Sequence, residues 1–199
     1  MPRAPLVRAA LTAAALGAIA ATPLAAGPRM PQLTLGIGGT GAVAGDLNNG
    51  GFAVWGAALW PVEGPWSVGV TGFVDDMGNR LVRVTDGATP PVALGTVEDR
   101  HRFAFGGGWQ MNARLPNAGR WEPVASAFWS VARIQDDARG TVLGAESTTG
   151  LGLGLGIRRP VLQRSTVGVA FRYQHLFNDI VESYMSGGVE WGWRFGKTP

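Results

Sequence analysis

The stretch Leu151-Gly152-Leu153-Gly154-Leu155-Gly156-Ile157-Arg158 alternates a large side chain with glycine at every second position. In a helix the large side chains would be scattered around the circumference, and each glycine would weaken the helix by about 1 kcal/mol. In a β-strand, residues two apart lie on the same face. The stretch therefore predicts a strand with one bulky apolar face and one face with almost no side chains.

The same period of two recurs at 166–174 and 188–195, where apolar or aromatic residues alternate with small or charged ones. Extended along the chain, this pattern predicts eight strands, most of them longer than the roughly 5–6 residues usual in soluble sheets. Their lengths match the roughly 9–11 residues that a tilted strand needs to cross a bilayer. The predicted strands cover residues 33–44, 51–61, 66–75, 101–111, 121–134, 147–159, 165–177 and 184–196.

The two faces of these strands indicate which side meets lipid. The glycine-rich face also carries the charged residues, and the interior of an eight-stranded barrel is narrow. Small and charged residues therefore fit inside, and the bulky apolar residues face outward. The sequence predicts an all-β, antiparallel up-and-down transmembrane β-barrel of eight strands. The alternative is a soluble, lipocalin-like periplasmic binder, in which the bulky face would point inward.

Tryptophan and glycine are both unusually frequent. The chain has 31 glycines and eight tryptophans in 199 residues, and its glycine content is about twice the average of roughly 7%. Several aromatic residues flank short connections or close the last strand, as expected for rings at a membrane interface. The predicted aromatic girdle consists of Trp60, Trp66, Trp109, Trp121, Trp193 and Phe195.

The connections between the predicted strands alternate in length, as short periplasmic turns and longer outer loops do in transmembrane barrels. The main outer loop is predicted at 76–100, which contains Pro90-Pro91. The short connections are 61–65, 112–120 and 160–164, and the other outer ones are 44–50, 135–146 and 178–183.

The first 26 residues have the three-part layout of a secretory signal. A segment with Arg3 and Arg8 precedes an apolar run at 9–21, which is followed by small residues up to Ala26. We expect a cleaved signal peptide at 1–26 and a barrel domain at 27–199. An uncleaved N-terminal anchor is the alternative, although the apolar run is short for a membrane span.

The segment Ser186-Gly187-Gly188-Val189-Glu190-Trp191-Gly192-Trp193 resembles the C-terminal assembly signal of bacterial outer-membrane barrels, with Ser186, Gly188, Trp191 and Trp193 at its defining positions. The resemblance is to the small, eight-stranded OmpA/OmpX-like type. It implies a cell-envelope protein in the outer membrane of a Gram-negative-type bacterium, with the barrel assembly machinery, membrane lipid and lipopolysaccharide as partners. Residues 196–199 depart from the family pattern, since family members usually end at the final aromatic residue.

Charged residues on the inward face predict ion pairs in the lumen, because a buried charge without a partner is costly. Hairpin symmetry pairs Glu122 with Arg158 and Arg172 with Glu190. These pairs either gate an ion path or form a structural network that closes the barrel, and the narrow interior favours the network.

His175 provides a second functional hypothesis. Tyr173-Gln174-His175-Leu176-Phe177-Asn178 resembles the His-x-Ser-Asn segment of outer-membrane lipid A deacylases, in which the histidine acts as a base. Only His175 and Asn178 match that segment. Phe177 occupies the position of the nucleophilic serine, and Ser183 and Glu182 are nearby but off the pattern. His175 is therefore a weak catalytic candidate for a lipid-modifying enzyme.

The remaining composition gives no other chemistry. Without residues 1–26 the chain has 15 basic and 14 acidic residues and no cysteine, so neither nucleic-acid binding nor a thiolate site is expected. Isolated acidic pairs such as Asp136-Asp137 supply too few oxygen ligands for a calcium site. We expect no cofactor or metal, and a structural or surface-interaction role for a porin-like barrel that is not an open general pore.

The alternation at 151–158 makes a direct prediction about insertion. Leu153→Arg places a charge in lipid near mid-membrane and should cost on the order of 2–4 kcal/mol of folding free energy, while Gly154→Ser on the inward face should cost much less. Urea unfolding in lipid vesicles measures both values. Equal losses would show that the assignment of faces is wrong.

Overall fold

The computed structural model describes residues 31–44, 50–85, 93–116, 119–138, 141–177 and 183–195. The predicted signal peptide at 1–26 lies outside these residues and remains a prediction. Eight strands make up nearly all of the described chain: β1 Gln32–Ala44, β2 Phe52–Pro61, β3 Trp66–Thr85, β4 Ala93–Arg114, β5 Glu122–Ala138, β6 Thr141–Leu162, β7 Ser165–Leu176 and β8 Ser183–Arg194.

The strands form one closed, antiparallel, up-and-down barrel, as predicted from the sequence. Each strand pairs with its neighbour in sequence, and β8 pairs with β1, so that Trp193 lies opposite Leu33. Closure gives every strand two neighbours, so the barrel has no edge strand with unpaired backbone groups. Among the described residues, no helix is long and apolar enough to cross a membrane.

The strands are strongly staggered. A line of paired residues that starts at Leu33 on β1 crosses every strand of the barrel and returns to β1 at Ala44. The line therefore ends eleven residues further along β1 than it began, and this offset includes one bulge. A barrel with such a stagger must tilt its strands steeply against its axis. The tilt explains why strands of 10 to 13 residues, such as β1 and β2, are needed to cross a membrane.

The outer surface of the barrel is apolar. Leu35, Ile37, Leu153 and Leu155 are 63–66% exposed, although side chains of this type are normally buried in soluble proteins. The glycines that alternate with the leucines on β6 face inward, and those at 152 and 154 are buried. The predicted assignment of faces is therefore confirmed, and this surface is one that lipid, rather than water, solvates.

Two inward glycines make room for large rings from neighbouring strands. A Cβ atom at Gly36 would overlap the indole of Trp55, and one at Gly152 would overlap the ring of Phe128. Glycine on the inward face thus lets a narrow barrel hold a few large side chains in its interior.

The described parts of two predicted outer loops are strands. Within the segment predicted as the main loop, 76–100, β3 continues to Thr85 and β4 begins at Ala93. Similarly, β5 extends to Ala138 and β6 begins at Thr141 within the predicted loop 135–146. The prediction treated loss of the apolar alternation as the end of a strand. The ladder of backbone hydrogen bonds does not itself require that alternation, so a strand can continue after the apolar pattern ends.

Candidate functional site

A cationic side chain surrounded by aromatic rings occupies the middle of the lumen. The guanidinium carbon of Arg172 lies 4.4 Å from the ring centre of Phe128, and 5.8 and 5.7 Å from those of Trp55 and Phe73. All four side chains are buried. Cations are attracted to the faces of aromatic rings at these distances, and more strongly when water is excluded. The rings therefore stabilise a charge held in the centre of the barrel.

Ion pairs fill the lumen on the side of the short connections. Arg158 Nη2 lies 2.6 Å from Glu190 Oε1, and Trp55 Nε1 donates a hydrogen bond of 3.2 Å to Glu190 Oε2. Nearer the end of the barrel, Arg194 Nη2 lies 2.6 Å from Glu122 Oε2. Glu190 thus receives contacts from β6 and β2, each of which is two strands away from its own strand.

A hydrogen-bonded chain fills the lumen above Arg172. The hydroxyl of Tyr184 donates to Asp75 Oδ2 at 2.7 Å and lies 2.9 Å from Gln174 Oε1, and Gln174 Nε2 donates to Ser130 Oγ at 3.0 Å. A phenol has one proton, so it can donate fully to only one of its two acceptors at a time. These four buried side chains connect β3, β5, β7 and β8 inside the barrel.

A bidentate ion pair lies higher still. Arg102 Nε and Nη2 contact the two carboxylate oxygens of Asp136 at 2.6 and 2.8 Å. Parallel contacts of this kind fix both side chains in position more firmly than a single contact does. Asp136 was one member of an acidic pair in the sequence, and the structure accounts for its charge through Arg102.

The structure places all four predicted lumen residues on the inward face but changes their partners. Arg158 pairs with Glu190 and Glu122 pairs with Arg194, although Glu122 and Arg158 are opposite each other in the ladder. Arg172 and Glu190 were predicted to be paired, but the ladder places Arg172 opposite Ser186, and Glu190 forms its ion pair with Arg158. The predicted pairing of Arg172 with Glu190 assumes a hairpin centred at 181, midway between them, but the β7–β8 hairpin is centred at 179, midway between Arg172 and Ser186.

Several residues with central contacts in the lumen were not predicted, among them Asp75, Gln174, Tyr184 and Arg194. Tyr184 and Arg194 share the inward parity of Glu190 on β8, and Gln174 shares that of Arg172 on β7. The alternation could therefore have identified them as lumen residues, although it could not have identified their partners.

Most of the predicted aromatic girdle lies where it was expected. Trp66, Trp121, Trp193 and Phe195 are 41–46% exposed and lie at or beside strand ends on the side of the short connections, as does Trp60. Trp109 is the exception. It faces outward, but it lies in the barrel wall rather than at a strand end, opposite Val70 and Trp129. On β4 it is four residues away from Ala113, the residue opposite Trp66. An interfacial role for the girdle remains a prediction.

The residues of the proposed assembly signal divide between the two faces of β8. Ser186 is buried and, like Gly188, has the inward parity, whereas Trp191 and Trp193 are exposed on the outer surface. This arrangement presents the aromatic residues outward, and the recognition of the segment during assembly stays a prediction.

His175 faces outward and contacts Ser183 of β8. Its Nδ1 atom lies 3.0 Å from Ser183 Oγ, and the hydroxyl of Tyr173 lies 2.8 Å from the same oxygen. The structure therefore brings a serine to the histidine, although not at the position that the resemblance to deacylases requires. Ser183 is only 6% exposed. Asn178 and Glu182 lie outside the described residues, and a catalytic role for His175 stays a prediction.

The fold is that of small outer-membrane barrels. Neisserial surface protein A matches with a TM-score of 0.55 and 13% identity, over 83% of this chain and 96% of the other. A major outer membrane protein from Thermus thermophilus matches with a TM-score of 0.56 and 10% identity, over 82% and 99%. The N-terminal β-barrel domain of Pseudomonas aeruginosa OprF matches with a TM-score of 0.51 and 11% identity, over 84% and 98%.

No protein-family model matches the chain, and no curated protein matches it in sequence. The solved structures share its architecture at low identity, so the likeness concerns the fold. The chain is thus an eight-stranded barrel with an apolar outer surface and the fold of the solved outer-membrane barrels.

The ion pair between Arg158 and Glu190 should make a measurable contribution to stability. Arg158→Met or Glu190→Leu alone leaves one charge in the lumen without its partner, and each should lower the free energy of unfolding by roughly 3–5 kcal/mol. The double variant should recover most of this loss. A double-mutant cycle measured by urea unfolding in vesicles tests the coupling, and the Arg172/Glu190 cycle serves as the control with weaker coupling. Additive losses for Arg158 and Glu190 would contradict the assigned pairing.

Proposed function

We propose that this protein is a closed-lumen outer-membrane barrel with a structural or surface-interaction role, rather than a general pore. The observation that supports the proposal most strongly is the filled lumen. Paired and stacked side chains occupy successive levels, from Arg194 and Glu122 at one end to Arg102 and Asp136 at the other. The cavity beside Trp55, Arg172 and Glu190 has a volume of about 20 Å³, and a single water needs about 10–15 Å³.

The long hairpins support a role at the cell surface. β3, β4 and β6 contain 20–22 residues, against 10 to 13 in β1, β2, β7 and β8. About 9–11 residues suffice to cross the membrane, so the β3–β4 and β5–β6 hairpins rise well beyond the apolar belt. They would offer an extended surface to partners outside the cell. Membrane lipid, lipopolysaccharide and, during biogenesis, the barrel assembly machinery are the partners we propose.

A lipid-modifying enzyme is the second candidate, favoured by the contact between His175 and Ser183. For this reaction Ser183 Oγ would have to reach a lipid carbonyl, and the serine is covered by the side chains that contact it. Mass spectrometry of lipid A from cells that express the wild type or Ser183→Ala separates the two candidates. A change of acylation that requires Ser183 would favour the enzyme. The third alternative, a lipocalin-like soluble binder, conflicts with the apolar exterior and the filled lumen.

The filled lumen predicts that the protein does not conduct freely. In proteoliposomes the wild type should release trapped KCl and glucose at the background rate, because a water-filled path would need the paired side chains to separate. The double variant Arg172→Ala/Phe128→Ala removes the large groups at mid-lumen and should raise KCl release several-fold. SDS resistance before heating verifies that each barrel is folded. Rapid glucose release by the folded wild type would contradict the closed-lumen proposal.

A further inference from the structure

The outer surface of the barrel contains a groove of about 700 Å³ across strands β3 to β7. Its floor is low at Ala127, whose small side chain interrupts the bulky outward face, and beside it the backbone of the inward-facing Gly152 also lines the groove. Trp109 and Trp129 line it from β4 and β5, and Phe177, which follows β7, lines it from the other side. The groove is thus a concave apolar site on a surface that otherwise meets lipid along its convex wall.

Two polar side chains, Tyr173 and His175, also line this groove. Both contact the oxygen of Ser183, which lies beneath them, at 2.8 and 3.0 Å. Ser183 therefore orients the phenol and the imidazole, and it does so without lining the groove itself. A hydrogen-bonding pair in an apolar, lipid-facing groove indicates a ligand with both apolar and polar parts.

The contacts with Ser183 determine what this pair can offer. If His175 carries its proton on Nδ1, Nδ1–H donates a hydrogen bond to Ser183 Oγ, and the serine hydroxyl can donate to the phenol oxygen of Tyr173. The phenol hydroxyl is then free to donate to a ligand, and His175 Nε2 can accept. If the proton is on Nε2, the serine hydroxyl donates to His175 Nδ1, and the phenol hydroxyl donates to Ser183 Oγ. His175 Nε2–H is then free to donate to a ligand, and the phenol oxygen can accept. In either tautomer the pair offers one donor and one acceptor to the groove.

The position of the pair matches the boundary of the apolar belt. His175 lies opposite Leu151, and the next outward residue of β6 on the side of the long hairpins is the exposed Thr149. The pair therefore lies where the polar part of a membrane lipid meets its acyl chain.

We propose that the groove holds one acyl chain of an outer-leaflet lipid, whose ester, amide or hydroxyl group binds Tyr173 and His175. This inference rests on the proposed membrane location, because the groove is a lipid site only in a membrane-embedded barrel. The chain lies over Ala127 and Gly152, between the tryptophans and the wall formed by Phe177. Lipid A and glycerophospholipids share this acyl chemistry, and separate probes distinguish them.

Native mass spectrometry of the intact barrel, released from mild detergent after titration with lipid A or with dimyristoyl phosphatidylglycerol, tests the proposal. The wild type should retain one molecule of at least one probe. Ala127→Phe fills the floor of the groove and should weaken retention by about tenfold or more. The matched control, Ala58→Phe, adds the same ring at an outward position on β2 and should leave retention unchanged. Tyr173→Phe, which removes one oxygen and keeps the ring, should also weaken retention.

Several results would overturn the proposal. One is equal lipid retention by Ala127→Phe and Ala58→Phe, and another is the absence of retained lipid on the folded wild type. A third is a wild-type dimer that Ala127→Phe abolishes, because the occupant of the groove would then be a second copy of the chain. If Ala127→Phe does not fold, the Tyr173→Phe result decides alone. SDS resistance and membrane fractionation, measured in parallel, show whether a failure concerns the groove or the membrane location itself.

Discussion

The constraint on which the rest of the structure depends is that a chain in lipid must satisfy its backbone hydrogen bonds internally. Hydrocarbon offers no donors or acceptors, so a sheet can cross the membrane only when it is closed. The pairing of β8 with β1 meets this requirement. Closure with eight strands then fixes a narrow interior, and this narrowness determines which residues each face can carry.

The narrow interior explains both the glycine alternation and the lumen chemistry. Small inward residues leave room for a few large ones, and the polar groups that remain inside must find partners because little water can reach them. Arg172 meets this requirement in another way, because its Nη1 and Nη2 atoms have no hydrogen-bond partner among the described residues and aromatic rings attract its charge instead. Its charge lies among three aromatic rings, between the Arg158–Glu190 pair on one side and the chain that links Tyr184 with Asp75 on the other. These contacts support the proposal that the lumen is a packed polar core rather than a channel.

The sequence predicted the wall of the barrel better than its contents. Alternation fixed the strands and faces, since it reflects a purely local property of the backbone, and the exposure of Leu153 agrees with it. The lumen partners could not be obtained in this way, because hairpin symmetry relates only neighbouring strands. Glu190 of β8 instead reaches Arg158 of β6 and Trp55 of β2 across the lumen. The hairpin extensions escaped prediction because strands outside lipid lose the apolar alternation without losing their ladder.

The central claim is that the chain folds as a closed barrel with its apolar face in lipid. The most direct measurement combines membrane fractionation with electrophoresis in SDS, before and after boiling. The account predicts that the protein stays in the outer-membrane fraction after alkaline carbonate extraction. It also predicts that the unboiled protein migrates as a compact species and shifts to its full apparent mass after boiling, since the closed hydrogen-bond network resists SDS until heated. A protein found in the soluble periplasmic fraction without detergent, with no shift on boiling, would contradict the account.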